Sequence, residues 1–479
     1  MAANQIQKEK IFINGRWMET KEYSILYAPY SGEALAEIPV SSLADVNLAA
    51  LAAENAKLTL RKMPAHERAS ILEKMAQLFQ DRFQEAAEII AKEAGKPITT
   101  AKGEVSRTIQ TYKFAAEEAK RIHGETIPMH AAPGGENRIA YTVREPIGVV
   151  AAITPFNFPM NLVAHKVGPA IAAGNPVVLK PASQTPLSAF FLAKIAEEAG
   201  LPKGALNVIT GKGSIIGDAL VQHDLVKMVT FTGSPTVGIA LRNKAGLKRV
   251  ILELGSNSAL IVDQGVPIDK MISRCVTGAF AYQGQVCISI QRVYVHENVY
   301  EEFVEKFVAA ARKLKLGDPL DEATDLSALI SHNDVERAKK WIQEAVVNGA
   351  TIAIGGESTG NILHPTVLLN VQKDSNVSCQ EVFAPIVLIN SVSSIQEAMD
   401  YVNNSQFGLQ AGIYTENIHV ALDAAEQLYV GAVLINDIPT FRVDHMPYGG
   451  VKNSGTGREG IRYAIEEMTE LKLIIINRG

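Results

Sequence analysis

Cys287 lies in Gly284-Gln285-Val286-Cys287, and Glu253 stands upstream in Glu253-Leu254-Gly255. A thiol and a carboxylate on separate glycine-marked segments, each beside an apolar run, are the parts of a nucleophile and a base that folding brings together. A free cysteine is more often a small buried hydrophobe, and Cys275 and Cys379 take that reading. Cys287 differs in its setting: Gly278 and Gly284 flank its approach, and polar Gln283 and Gln285 alternate with small residues, as where backbone lies close to a ligand. Glu253 ends the run Arg249-Val250-Ile251-Leu252, at the carboxyl end of a strand, where open α/β sheets hold their ligands. It is either a solvated strand-end carboxylate or, in a partly apolar crevice, a base with a raised pKa that activates water.

Further polar groups sit on turns. Asn157, in Thr154-Pro155-Phe156-Asn157-Phe158-Pro159, is a turn former or an amide donor aimed at an anionic oxygen. Gly211-Lys212-Gly213-Ser214-Ile215-Ile216-Gly217 suggests a dinucleotide loop, but its third glycine falls one residue late for G-x-G-x-x-G. Phe231-Thr232-Gly233-Ser234 precedes a helix expected to begin near Pro235, so backbone N–H groups there could take a phosphate. Lys180, after Val177-Val178-Leu179, either reaches ribose or phosphate oxygens or snorkels to the surface.

The elements that must carry these groups form two alternating series. Residues 42–56, 65–83 and 83–94 repeat apolar positions at helical spacing. From Pro146 onward, short apolar runs (148–153, 177–179, 206–209, 227–231) alternate with amphipathic segments, the mark of βαβ units around a parallel sheet buried on both faces. A second such series runs from about Ala259 to Val433, with helices over 300–314 and 333–348 and strands near 293–295 and 386–389. Residues 126–143 and the tail 471–476 read as strands outside both series, of the kind that pairs with another subunit.

Composition narrows the classes. The chain has 479 residues, 47% of them hydrophobic and 20% charged, enough for two or more cores. A net charge of -5 without a long basic block argues against nucleic acid or a membrane surface as partner. Three cysteines cannot build a disulfide framework, which fits a reducing compartment. The start, MAANQIQKEKIFINGRW, has no apolar leader, and no run approaches the roughly 18 apolar residues of a membrane span, so a cytoplasmic protein is expected.

Seven motifs in order give the chain a resemblance to the aldehyde dehydrogenase superfamily over essentially its whole length. They are the Thr154–Pro159 stretch, Leu179-Lys180-Pro181-Ala182-Ser183, Phe231-Thr232-Gly233-Ser234, Glu253-Leu254-Gly255, Gly284-Gln285-Val286-Cys287, Glu381-Val382-Phe383-Ala384-Pro385 and Pro447-Tyr448-Gly449-Gly450. The resemblance implies an α/β fold with a Rossmann-like cofactor domain over residues 1–121 and 144–252. It implies an α/β catalytic domain over 253–435 and oligomerisation strands at 122–143 and 465–479, in a homodimer or homotetramer. By the same resemblance, Cys287 attacks a small aldehyde, Asn157 and the Cys287 backbone N–H hold the oxyanion, and Glu253 activates the water that hydrolyses the thioester. Cofactor contacts fall to Thr154, Phe156, Lys180, Ser183, Gly213, Phe231, Thr232, Gly233, Ser234, Leu254, Glu381 and Phe383, and no metal is implied.

Departures from the family pattern refine this. Ser183 stands where many NAD-preferring members carry a glutamate; with Lys180 and Lys212 nearby, NADP is expected, with NAD also usable. Ser256 replaces a common glycine, and Phe156 a common tryptophan. Arg107, Arg442 and His445 fall near the expected substrate mouth, either to take a short hydroxylated or anionic aldehyde or to form ion pairs that hold the loop. Val286 stands where carboxylate- or phosphonate-binding relatives often place an arginine, which weighs against an anion. Two alternatives are a coenzyme A-acylating dehydrogenase and a non-catalytic member of the fold. Retention of Glu253 argues against the first, and of Cys287, Glu253 and Asn157 together against the second.

Overall fold

The computed structural model describes residues 6–479; residues 1–5, part of the stretch read for a leader, lie outside the described residues. Both alternating series form parallel sheets. The first sheet runs, edge to edge, Gly455–Thr456, Arg249–Glu253, Val226–Thr232, Val149–Ile153, Val177–Lys180, Leu206–Val208, Ile11–Ile13 and Arg16–Met18. Its five central strands are parallel and its margins antiparallel. Every residue of Val149–Ile153 is buried, as expected of a strand covered by helices on both faces.

The second sheet runs Thr351–Ile354, Thr366–Leu369, Ile386–Val392, Arg292–His296, Ala259–Val262, Gln410–Tyr414 and Ala432–Ile435, all parallel but for the first pairing. A third unit pairs Thr469–Asn477 with Arg138–Pro146 over nine residue pairs, with Thr126–Ile127 beside them. Leu471, Leu473, Ile475, Ile476, Ile139 and Tyr141 are exposed on it. Among the described residues no helix is long and apolar enough to cross a membrane.

Helix boundaries follow local chemistry. Leu43–Lys62 begins at Ser42, whose hydroxyl accepts from the Asp45 N–H while the Asp45 carboxylate accepts from the Ser42 N–H, a reciprocal cap worth about 1 kcal/mol. Asn161–Ala173 is buried throughout and ends at Gly174, which takes φ +86°; a side chain there would meet Leu60 O at 3.2 Å. Two features were not anticipated from sequence. Residues 7–40 contribute short strands rather than leading directly into helices, and Gly455–Thr456, from far down the chain, closes the edge of the first sheet beside Glu253.

Candidate active site

Cys287 follows the helix Ile268–Phe280 and a tight turn whose backbone is left-handed at Tyr282, Gln283 and Gly284, with φ of 49°, 54° and 68°. Left-handed backbone costs a non-glycine residue roughly 1–2 kcal/mol, and here the cost is met by buried hydrogen bonds. Gln283 Nε2 donates to Gly95 O at 2.7 Å and Ala328 O at 2.9 Å, and Gln285 Oε1 accepts from the Ile330 N–H at 3.0 Å. Gly284 is required: a β-carbon would sit 2.3 Å from Ala384 O. The turn therefore presents the thiol from a rigid support. Burial pushes the Cys287 thiol up to about 11, against which a hydrogen bond with Tyr448 and the charge of Arg442 pull it down. Cys275 is buried outright and pushed up to about 12, as befits a core thiol.

Glu253 ends the strand Arg249–Glu253 and is buried, with neither carboxyl oxygen hydrogen-bonded among the described residues. Its Oε1 would lie 2.8 Å from a β-carbon at Gly449, so the carboxyl reaches the Pro447-Tyr448-Gly449-Gly450 turn only because that position is glycine. Burial and then the negative charge of Glu459 hold its pKa well above the ordinary carboxylate range. Glu459 is also buried, but there Lys166 and Arg442 outweigh the desolvation and keep it ionised. Lys166 Nζ donates to Glu459 Oε1 at 2.8 Å and to Thr232 Oγ1 at 2.7 Å, and Arg442 Nη2 to Glu459 Oε2 at 3.0 Å. Burial first, and the fixed Glu459 charge after it, thus raise the proton affinity of the unpaired Glu253 carboxyl.

Asn157 donates from Nδ2 to Gln285 O at 3.0 Å, joining its turn to the cysteine turn, and its Oδ1 is buried without a partner. The turn is braced from below by Lys96 and Glu104, an ion pair with no exposed surface. Lys96 Nζ donates to Asn157 O at 2.6 Å beneath the rings of Phe158 and Tyr282, at 3.8 and 4.2 Å. Glu104 Oε1 accepts from the N–H groups of Met160 at 2.9 Å and Asn161 at 3.1 Å. The structure brings Cys287, Glu253 and Asn157 to one place.

Most cofactor candidates lie at the carboxyl edge of the first sheet, while Glu381 and Phe383 lie on the segment that leads into the second-sheet strand Ile386–Val392. Phe231 closes on Gly233 and Gly238, where β-carbons would lie 2.6 Å and 3.3 Å from its ring, and Leu254 lies 2.4 Å from one at Gly238. Ser234 precedes the helix Pro235–Lys244 and makes no capping hydrogen bond. Thr154 Oγ1 is buried and unpartnered. Ser183 Oγ donates to Gly211 O at 3.2 Å, joining the two turns read separately from sequence, and Gly213–Gly217 forms one wide helical turn beyond. Lys180 donates to Pro181 O at 2.9 Å, its pKa lowered by burial to about 8. Glu381 accepts from the Ser256 N–H at 2.9 Å; burial raises it to about 7. This explains Ser256: its backbone is the contact, its hydroxyl is 3.1 Å from that of Ser258, and the residue that must be glycine is Gly255, where a β-carbon would strike Glu381 at 2.5 Å. Phe383, at φ +52°, meets Phe156 edge to face at 5.7 Å.

At the substrate side, Arg107 on the helix Ile98–Ala119 grips Asp444 through Nη2 at 2.7 Å and Nε at 3.3 Å, and its side chain is 29% exposed. Asn161 Nδ2 donates to the same Asp444 Oδ1 at 3.0 Å, and His165 Nε2 lies 2.8 Å from it. His445 packs on Phe114 at 4.9 Å. Arg442 is only 6% exposed and lies over the Tyr448 ring at 3.6 Å. Arg107 and Arg442 are therefore both ion-paired around this loop.

The chain that carries this crevice matches the model of the aldehyde dehydrogenase family over residues 17–474. The chain belongs to the aldehyde dehydrogenase family. A 3-sulfolactaldehyde dehydrogenase of Priestia aryabhattai is 49% identical over 473 residues, covering 99% of each chain. Among solved structures, aldehyde dehydrogenase 21 from Physcomitrella patens in complex with the reaction product succinate superposes with a TM-score of 0.97 at 40% identity, covering 99% of each chain. A glyceraldehyde-3-phosphate dehydrogenase from Methanocaldococcus jannaschii complexed with NADP gives 0.92 at 40% identity, covering 95% of this chain and 100% of its own. The protein is an NAD(P)-dependent aldehyde dehydrogenase with the fold of that family.

In this aldehyde dehydrogenase, sequence reasoning passed over His165, Lys166, Asp444 and Glu459, which carry the charge network beneath the site. A signal for the first pair was present: His165 and Lys166 are adjacent polar residues in the otherwise apolar segment of a helix buried on every side.

Proposed function

We propose that this enzyme oxidises a short, hydroxylated, anionic aldehyde of about three carbons to its acid with NADP, hydrolysing a Cys287 thioester without coenzyme A. Cys287 is the nucleophile, Asn157 Nδ2 with the Cys287 N–H holds the oxyanion, and Glu253 takes a proton from the hydrolytic water. Glu253 has no hydrogen-bond partner among the described residues, and burial raises its proton affinity, so its ionised form is placed to receive a proton from a bound water. The dinucleotide, when bound, supplies the hydride acceptor. Phe231, Gly233, Ser234 and Glu381 would hold it, with Lys180 and Ser183 at the adenosine ribose. A smaller residue at 183 leaves room and no repulsion for a 2′-phosphate, which favours NADP while admitting NAD. A reducing cytoplasm and assembly through the apolar strand Thr469–Asn477 complete the reading.

The anionic part of the substrate rests on one observation: Arg107, fixed by Asp444, offers a partly exposed guanidinium beside the loop whose Arg442 lies over the Tyr448 ring. The panel that tests it is NADPH formation without coenzyme A from 3-sulfolactaldehyde, lactaldehyde and succinic semialdehyde. Arg107→Met is expected to raise KM for the anionic aldehydes by roughly ten- to a hundredfold, the worth of one charge-assisted hydrogen bond, and to leave lactaldehyde nearly unchanged. Equal losses on charged and neutral aldehydes would assign Arg107 to holding the loop instead.

The cofactor assignment has its own test. Ser183→Glu places a carboxylate where the 2′-phosphate of NADP is expected, and kcat/KM for NADP should fall about a hundredfold through charge repulsion and lost contacts. NAD should be affected far less. An unchanged NADP/NAD ratio would move the 2′-phosphate away from residue 183.

A further inference from the structure

The Cys287 sulfur has a hydrogen-bonding neighbour that none of the roles above uses. Tyr448 Oη lies 2.9 Å from Cys287 Sγ, and among the described residues that sulfur is the hydroxyl's only hydrogen-bond partner. Tyr448 is 3% exposed, in a small apolar nest with Ile288 and Leu409 that also touches Cys287. Its backbone is pinned on both sides: the Tyr448 N–H donates to Glu459 O at 3.0 Å, and the Glu459 N–H donates to Tyr448 O at 2.7 Å. The Glu459 carboxylate in turn holds Arg442, whose guanidinium lies over the phenol ring at 3.6 Å. One residue therefore fixes both the phenol and the cation stacked on it.

Resting on the reading of Cys287 as nucleophile, we propose that Tyr448 is a further catalytic residue, its hydroxyl donating a hydrogen bond to the Cys287 sulfur in its thiolate form, with Arg442 as the positioning residue that holds and polarises the phenol. A cation over the ring face draws electron density from the phenol and strengthens its O–H as a donor. The need for such a donor follows from the surroundings. Burial is what chiefly opposes thiolate formation, Glu381 and Glu253 add to it when ionised, and Tyr448 and Arg442 are the groups that act the other way. Tyr448 keeps its own proton throughout; the thiol proton leaves to solvent water, and the same donor receives the sulfur when the thioester is hydrolysed.

The test is alkylation of the full-length enzyme by iodoacetamide across pH, with the alkylated cysteine located by mass spectrometry. In Tyr448→Phe, which keeps the ring and its stacking, alkylation of Cys287 below the thiol midpoint is expected to be roughly tenfold slower and the midpoint about one pH unit higher, the effect of losing one hydrogen bond to a charged group. Thermal melting and NADP binding should match the parent protein, which separates this effect from a packing defect. An unchanged pH profile with the label on Cys287 would overturn the role given to Tyr448. Label on Cys275 or Cys379 in place of Cys287 would overturn the nucleophile reading instead.

Discussion

Cys287→Ala is expected to abolish NADPH formation, with a loss of at least about 10⁴-fold in kcat, while NADP still binds. On the proposed route Cys287 is the covalent nucleophile, so its removal forfeits the whole acyl-enzyme path, and losses of that size follow removal of such a nucleophile. The structure separates the two functions in space. The thiol is carried by the turn after Ile268–Phe280, whereas the dinucleotide candidates Phe231, Gly233, Ser234 and Leu254 belong to the edge of the first sheet. Deleting one sulfur in a crevice costs little packing, because Cys287 is only half-buried and its turn is held by Gln283 and Gln285 rather than by the thiol. Fluorescence titration with NADP and a progress curve at saturating aldehyde check the two halves. Substantial residual turnover, above about one part in a hundred, would mean that hydride leaves an aldehyde or its hydrate not bonded to Cys287.

How much of this could be read in the sequence depends on how local the cause is. The apolar runs at 148–153, 177–179 and 227–231 became adjacent parallel strands because a strand covered on both faces must be apolar at every position. Glu253, Cys287 and Asn157 were visible because each sits at a strand end or tight turn with glycine or proline beside it, a signature of backbone brought close to a ligand. The supporting charges were not visible in the same way. Glu459 matters because Lys166, nearly 300 positions away, meets it inside the protein, and no local periodicity encodes that pairing. Arg442 and Arg107 were legible as cations near the mouth, but not their partners, since Asp444 gathers Arg107, Asn161 and His165 from distant segments. The short strands within 7–40 were hidden for another reason: with only two to seven residues each and mixed burial, they show too few periods to declare themselves.

Glu253→Gln is the second large effect, and it should fall on one half of the reaction. On the proposed route acylation needs the thiol, the oxyanion donors and the dinucleotide, none of which this substitution removes, so a first turnover should still release about one equivalent of NADPH per site. Hydrolysis needs a group that accepts a proton from water, and glutamine cannot do so; steady-state turnover should fall about 10³-fold, within the range of a lost general base that also positions the water. Rapid mixing followed by mass spectrometry of the stalled acyl-enzyme on Cys287 checks both parts. No burst and no adduct would place Glu253 in the acylation step instead. The pH behaviour carries an independent sign. Burial and the charge of Glu459 raise the Glu253 pKa well above its ordinary 4.5, so the working carboxylate appears only as pH climbs through that raised value, and deacylation should quicken with it. Stability runs the opposite way: above pH 4.5 the unfolded chain has released this proton while the native enzyme keeps it, so the native state binds more protons and folding weakens as pH rises across the interval. In Glu253→Gln both slopes should flatten together, because a single buried carboxyl, left without a hydrogen-bond partner beside a fixed Glu459 charge, is responsible for each.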